Sequence, residues 1–267
     1  MKVEVNGIQL SYVDQGEGLP VLFIHGFPFD HQLWQPQIET LSQNNRVIAP
    51  DLRGFGDSDI PGDTSSMTQF AADLIALLDL LGIDQAAVCG LSMGGYISLA
   101  IAESFPERLL GLVLSNTRSA KDTYAVRQNR YNTAEKVISE GNGFMAEDMV
   151  GNVLCEKTIQ NNPGLVDFVR DMIQRQSNAG IYAALRGMAE RKDRTFLLSD
   201  IEVPTMVIAG KEDSIIPLFE SKRLVNNLTI GYLEVIEDSG HLSNLEQPER
   251  YNEILEKYLE SLAVFSK

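Results

Sequence analysis

One five-residue stretch, Gly90-Leu91-Ser92-Met93-Gly94, constrains this chain more than any other. The uniformly apolar run Ala86-Ala87-Val88-Cys89 leads into it. A helical pattern of Tyr96, Leu99, Ala100, Ala102 and Phe105 follows, stopped by Pro106. An apolar run of strand length followed at once by helical periodicity predicts a buried strand that turns sharply into a helix, with Ser92 at the turn. Such a turn strains the backbone of the serine and lifts its hydroxyl clear of the sheet. It also points the first amides of the helix at whatever that hydroxyl attacks. Glycine is needed at 90 and 94 because a side chain there would run into the neighbouring strand and helix. A tight Gly/Ser turn without chemistry would carry the same motif, so the rest of the chain has to decide between the two.

That rest alternates strands and helices. Val3 to Ile8 and Gln9 to Val13 read as an exposed strand pair around Asn6-Gly7, and Val21-Leu22-Phe23-Ile24 as a strand covered on both faces. Arg46-Val47-Ile48-Ala49 is the next strand, followed by a glycine-punctuated loop from Asp51 to Ser58. Thr68 to Leu81 reads as an amphipathic helix with Phe70, Leu74, Leu77 and Leu78 inward. The strand Leu110 to Leu114 follows the elbow. From Ser119 to Leu198 the rhythm changes to polar-rich helical segments without a convincing strand, which predicts an all-helical insertion. Alternation resumes with the strand Thr205 to Ala209, a helix near Leu218 to Val225, the strand Tyr232 to Ile236 and a last helix from Pro248 to Leu262. The expectation is an α/β fold, a mostly parallel central sheet flanked by helices.

The chain has 267 residues, enough for a large core, and a formal charge of −15 spread along its length. Acidity of that size argues against nucleic acid or an anionic membrane as partner. It repels anionic substrates at long range, although a local basic pocket would override that. The N-terminal residues carry no signal-peptide pattern, and the apolar stretches are strand-length, so no membrane span is expected. Cys89 and Cys155 differ in setting and have no metal-ligand spacing, so they read as reduced thiols in a cytoplasmic protein. Composition leaves monomer and homodimer equally open.

A serine hydroxyl needs a base, and the base needs an orienting group. Of three histidines, His25, His31 and His241, the last follows the final apolar strand, where open α/β sheets gather their active sites. Asp213 lies just past the strand ending at Ala209 and is the expected acid, with the adjacent Glu212 as competitor. Acyl transfer also needs two preplaced N–H donors for a tetrahedral anion. The amide of Met93 is one candidate. The other is the amide of Phe27, in the loop His25-Gly26-Phe27-Pro28, where His25 braces the backbone. Trp34, Phe144, Met145, Met149 and Leu242 are candidates to line a substrate pocket, and each fits plain core equally well.

Five segments together resemble the α/β-hydrolases with a helical cap. They are His25-Gly26-Phe27-Pro28, Asp51-Leu52-Arg53-Gly54-Phe55-Gly56-Asp57-Ser58, Gly90-Leu91-Ser92-Met93-Gly94-Gly95, Gly210-Lys211-Glu212-Asp213 and Gly240-His241. The resemblance implies a catalytic triad of Ser92, Asp213 and His241 and an oxyanion hole at Phe27 and Met93. It implies a core of residues 1–118 and 199–267 with a cap at 119–198, and no metal or organic cofactor. A serine at the elbow departs from the haloalkane dehalogenases and epoxide hydrolases, which place an aspartate there. The chain is similar throughout to serine carboxylesterases, which implies hydrolysis of short- to medium-chain esters with a small-molecule substrate as partner. The stretch His241 to Pro248 also resembles the 3-oxoadipate enol-lactonases, while His25-Gly26-Phe27-Pro28 differs from their loop. A perhydrolase or carbon–carbon bond hydrolase on the same triad is a further alternative.

Overall fold

The computed structural model describes residues 1–60, 62 and 64–265. Asn6 and Gly7 both take positive φ, 48° and 77°. They close a two-residue turn between the antiparallel strands β1 (Lys2–Val5) and β2 (Ile8–Gln15). The first strand therefore stops at Val5, earlier than the apolar pattern implies. Six strands continue the sheet: β3 (Leu19–Ile24), β4 (Asn45–Pro50), β5 (Ala86–Leu91), β6 (Leu109–Ser115), β7 (Thr205–Gly210) and β8 (Gly231–Ile236). The order across the sheet is β1-β2-β4-β3-β5-β6-β7-β8. β2 runs antiparallel to β4, and every pair from β4 to β8 is parallel. The order reverses direction beside β3, so the crossovers leave a crevice at the carboxyl ends of β3 and β5.

All six residues of β5 are buried, as a strand with helices on both faces requires. Helix α1 (Gln35–Leu41), α2 (Met67–Leu80) and α3 (Met93–Ser104) supply part of this cover. α3 crosses β5 so closely that a Cβ on Gly90 would collide with the carbonyl of Gly94 and the hydroxyl of Ser98. On β6, Leu114 is the register partner of Gly90, so Gly111, an odd number of residues away, faces the opposite side. There the hydroxyl of Tyr258, from the last helix Pro248–Phe265, fills the space of the missing side chain and donates to the carbonyls of Leu112 and Pro204.

Between β6 and β7 come α4 (Tyr124–Glu140), α5 (Gly143–Val153), α6 (Glu156–Asn161), α7 (Pro163–Gln174) and α8 (Asn178–Ala189), with no strand among the described residues. Thr123 and Ser177 cap α4 and α8 by accepting the amides of Val126 and Gly180. α8 lies directly on the core: Gly180 and Gly187 abut the carbonyls of Gly54 and Ser65, leaving no room for a Cβ. A polar clamp fixes the far end of the layer. Arg175 donates twice to Asp30, at 2.8 Å each, and Gln176 bridges Asp30 and the amide of Gly56. Among the described residues no helix is long and apolar enough to cross a membrane.

The crossing at Gly90 makes a direct demand on the sequence. Gly90→Ala is expected to lose about 1–3 kcal/mol of stability through overpacking. Gly143→Ala, at a position with nothing within 4 Å of its added Cβ, is expected to stay within about 0.5 kcal/mol of the parent. Urea unfolding of both variants checks this, and equal midpoints would contradict it.

Candidate active site

Ser92 sits between β5 and α3 at φ 56°, ψ −111°. A non-glycine residue in that region costs on the order of 1–3 kcal/mol and persists only when its surroundings hold it there. Here the Ser92 amide donates to the Ser115 carbonyl at 2.9 Å. The Ser92 carbonyl accepts from the amides of Gly95 and Tyr96 and, at 2.7 Å, from the Thr117 hydroxyl. A Cβ at Gly94 would strike the Ile24 carbonyl, so the helix start, β3 and the serine are locked together by backbone contact.

Asp213 and His241 come from the loops after β7 and β8. The Asp213 carboxylate is fully engaged. Oδ1 accepts the amides of Ile215 and Ile216, both at 2.9 Å. Oδ2 meets His241 Nδ1 at 2.8 Å and accepts from Asn116 Nδ2 at 2.9 Å. Burial pushes this carboxyl up. The neighbouring imidazole and the hydrogen bonds from Ile216 and Asn116 outweigh it and leave the group below its ordinary value. Glu212, the competing acid, is exposed and uses its amide to bind the Ser239 carbonyl. The loop of His241 is held by the helical layer: the amides of His241 and Leu242 both donate to the carbonyl of Val153. Glu246 accepts the amides of Gly240 and Cys155, each at 2.7 Å.

Asn116 escaped the sequence reading. It is wholly buried just past β6, at φ 47°, and also reaches the Gly240 carbonyl, while the hydroxyls of Ser243 and Ser115 donate to its Oδ1. The signal that was available is an asparagine, tolerant of the left-handed region, directly after a strand at the carboxyl edge of the sheet.

On the other side of Ser92 lies the loop after β3. His25 is wholly buried, with Nδ1 at 2.8 Å from the Gly26 carbonyl and Nε2 accepting the Leu52 amide at 3.0 Å. The ring therefore donates through Nδ1–H and is neutral. Burial lowers its pKa, against the raising effect of the Gly26 bond. His25 braces the loop and is not a free base. Neither the Phe27 amide nor the Met93 amide has an acceptor among the described residues.

Ser92, His241 and Phe27 open onto one cavity of about 340 Å³. Met145 and Met149 of α5 line it. Trp34, Phe144 and Leu242 do not. Trp34 is buried in the core against Phe23 and Tyr251, with ring centroids at 4.8 and 6.1 Å. Phe144 turns to the Lys136 ammonium, 3.9 Å from its ring centroid. Leu242 is fully enclosed in the core. Tyr96, Arg130, Leu185, Met188 and Ile215 take their places on the cavity wall. A larger hollow of about 750 Å³ lies between β7, β8 and the last helix, but neither Ser92 nor His241 reaches it.

Asp30, His31 and Asp51 bring three metal-type ligand atoms within 4.8 Å of one another. Their own bonds occupy them: His31 Nδ1 lies 2.6 Å from Asp51 Oδ1, and Asp30 is clamped by Arg175 and Gln176. The Asp51 hydrogen bond holds the His31 imidazole above its ordinary value against the lowering effect of burial. A raised histidine adds stability below the unfolded value of about 6.5 and loses it as pH climbs through the folded value. His31→Asn is therefore expected to cost more stability at pH 5.5 than at pH 8.5, measured by urea unfolding. An equal deficit at both would contradict this reading.

Compared with known proteins, residues 20–248 match the alpha/beta hydrolase fold family. The chain is 40% identical to a thermophilic esterase from Thermogutta terrifontis solved with malate bound, covering 98% of this chain and 99% of that one at a TM-score of 0.96. It is 30% identical to a 3-oxoadipate enol-lactonase of Acinetobacter baylyi over 93% of this chain and 92% of the relative. The enol-lactonase structure from Burkholderia xenovorans superposes at a TM-score of 0.92 with 25% identity, covering 97% of this chain and 100% of that one.

Proposed function

The chain belongs to the alpha/beta hydrolase fold family, and we propose that within it the protein is a serine carboxylesterase acting on short- to medium-chain esters through an acyl-enzyme. The observation that carries this reading is the 2.8 Å Asp213–His241 contact, with the same imidazole sharing one cavity wall with a serine held at φ 56°. With Nδ1–H donated to Asp213, the lone pair of Nε2 is left for the serine proton. Ser92 Oγ attacks the ester carbonyl and His241 takes the proton. The amides of Phe27 and Met93 receive the tetrahedral oxyanion. Collapse expels the alcohol, which leaves with the proton from His241. Water then attacks the acyl-enzyme, giving its proton to His241, which returns it to Ser92 as the carboxylic acid departs.

In this reading the helices between β6 and β7 are a cap that keeps bulk water from the acyl-enzyme and limits acyl length. Two free thiols support a reducing, cytoplasmic setting. A lactone is an ester closed into a ring, so the same steps would open one. The enol-lactonase relative supports that second reading, and a panel of esters and lactones ranks the two by kcat/KM.

Ser92→Ala is expected to lower p-nitrophenyl butyrate hydrolysis on the order of 10⁶-fold. Asp213→Asn, which leaves the imidazole in the wrong tautomer, is expected to lower it by about 10⁴-fold. Both variants should keep the parental circular dichroism. Substantial turnover by folded Ser92→Ala enzyme would overturn the assignment.

A further inference from the structure

Helix α4 turns one face to the cavity. Val126, Asn129, Arg130 and Thr133 all line it, at the spacing of a single helical stripe. Among the described residues on that wall, Arg130 is the only one with a permanent charge. Its Nε binds Asp122 at 2.6 Å and its Nη1 lies 3.5 Å from the Met188 sulfur. Nη2 has no protein acceptor among the described residues. The counter-ion is shared. Asp122 also binds Arg118 at 2.8 Å and Arg191 at 2.7 Å. One carboxylate thus faces three guanidinium groups, and Arg118 also lies in the field of Glu220. The Nε atoms of Arg118 and Arg191 are buried without a hydrogen-bond partner. The Arg191 guanidinium lies 4.2 Å above the ring of Tyr96, which itself lines the cavity. A chain of charge −15 has therefore placed one arm of an arginine cluster on the wall of the cavity that holds Ser92.

Resting on the ester-hydrolase reading above, we propose that the α4 end of this cavity is an anion subsite. It selects esters whose acyl part carries a second carboxylate, the half-esters of short dicarboxylic acids, and Arg130 is the specificity-determining residue. The acyl part is the half that stays on Ser92 through both steps, so an anion held there anchors the substrate until water arrives. An anion on the alcohol would instead slow departure of the leaving group. The reaction is ordinary ester hydrolysis: water cleaves the acyl–oxygen bond, and the products are an alcohol and a dicarboxylate.

The test compares mono-(4-nitrophenyl) glutarate with 4-nitrophenyl pentanoate, which differ in a terminal carboxylate against a methyl group. A hydrogen bond to a charged partner is worth about ten- to a hundredfold in affinity. The parent enzyme is expected to favour the half-ester in kcat/KM by about tenfold or more, mainly through KM. Arg130→Met is expected to lower the ratio of the two substrates by about ten- to a hundredfold and to weaken competitive inhibition by glutarate. Arg130→Lys, which keeps the charge, should retain part of the preference. If the parent cleaves pentanoate as well as or better than the half-ester, the anion subsite is overturned and the esterase reading stands. If Arg130→Met lowers both substrates together with the ratio unchanged, Arg130 is a strut for Asp122 and the proposal fails. If neither ester is cleaved and a fluorophosphonate does not label Ser92, the esterase reading itself fails and takes this proposal with it.

Discussion

The arrangement depends on how closely one helix can approach two strands. α3 starts with Gly94 against the carbonyl of Ile24 in β3, and Gly90 of β5 lies beneath Gly94 and Ser98. Nothing larger than hydrogen fits at either place, so the first turn of the helix and the end of the sheet share one rigid unit. Ser92 is the residue in between, and it takes up the bend at φ 56° because its amide, its carbonyl and its neighbours are already bound. A residue placed this way needs no backbone movement to reach its position, which is the physical meaning of preorganisation.

Buried carboxylates around this unit follow a common rule: each is surrounded by donors before it is removed from water. Asp51 accepts the backbone and ring of His31 and the amide of Asp57, and position 56, at φ 52°, takes a glycine because a side chain there would enter that carboxylate. Asp73 is held bidentately by Arg53, with both side chains nearly sealed from solvent. Asp213 follows the same rule: two backbone amides, the Asn116 amide and, as at Asp51, an imidazole surround it. The structural aspartates and the catalytic candidate are built alike; what sets Asp213 apart is that its histidine lines the cavity with Ser92, which His31 does not.

Much of this was legible in the sequence because strand ends announce themselves. Ala86 to Cys89 and Thr205 to Ala209 are uniformly apolar, and the loop after each strand must lie at the carboxyl edge, which brings Ser92 and Asp213 to one side of the sheet. Position within a loop was harder. Only the turn geometry that buries Asp213 and exposes Glu212 separates those neighbours. Pocket lining was the least legible. Trp34, Phe144 and Leu242 are as apolar as Met145 and Met149, and hydrophobicity does not record which side of a helix faces a void. Asn116 and Arg130 were missed for the opposite reason. Each is a polar residue whose meaning comes from partners nearly a hundred residues away or from an unequal sharing of one buried acid, which no local window contains.

Asp30 has a wider consequence. It stands three residues after Phe27 and holds the end of α7 through Arg175 and Gln176, while Gln176 in turn holds Gly56. The helical layer between β6 and β7 is therefore tied, through one buried carboxylate, to the chain just beyond the loop of Phe27. Substitution of Arg175 or Gln176 removes a support of that tie without altering any residue of the cavity wall. The outer helices thus reach the cavity's surroundings through a side chain that the cavity itself does not contain.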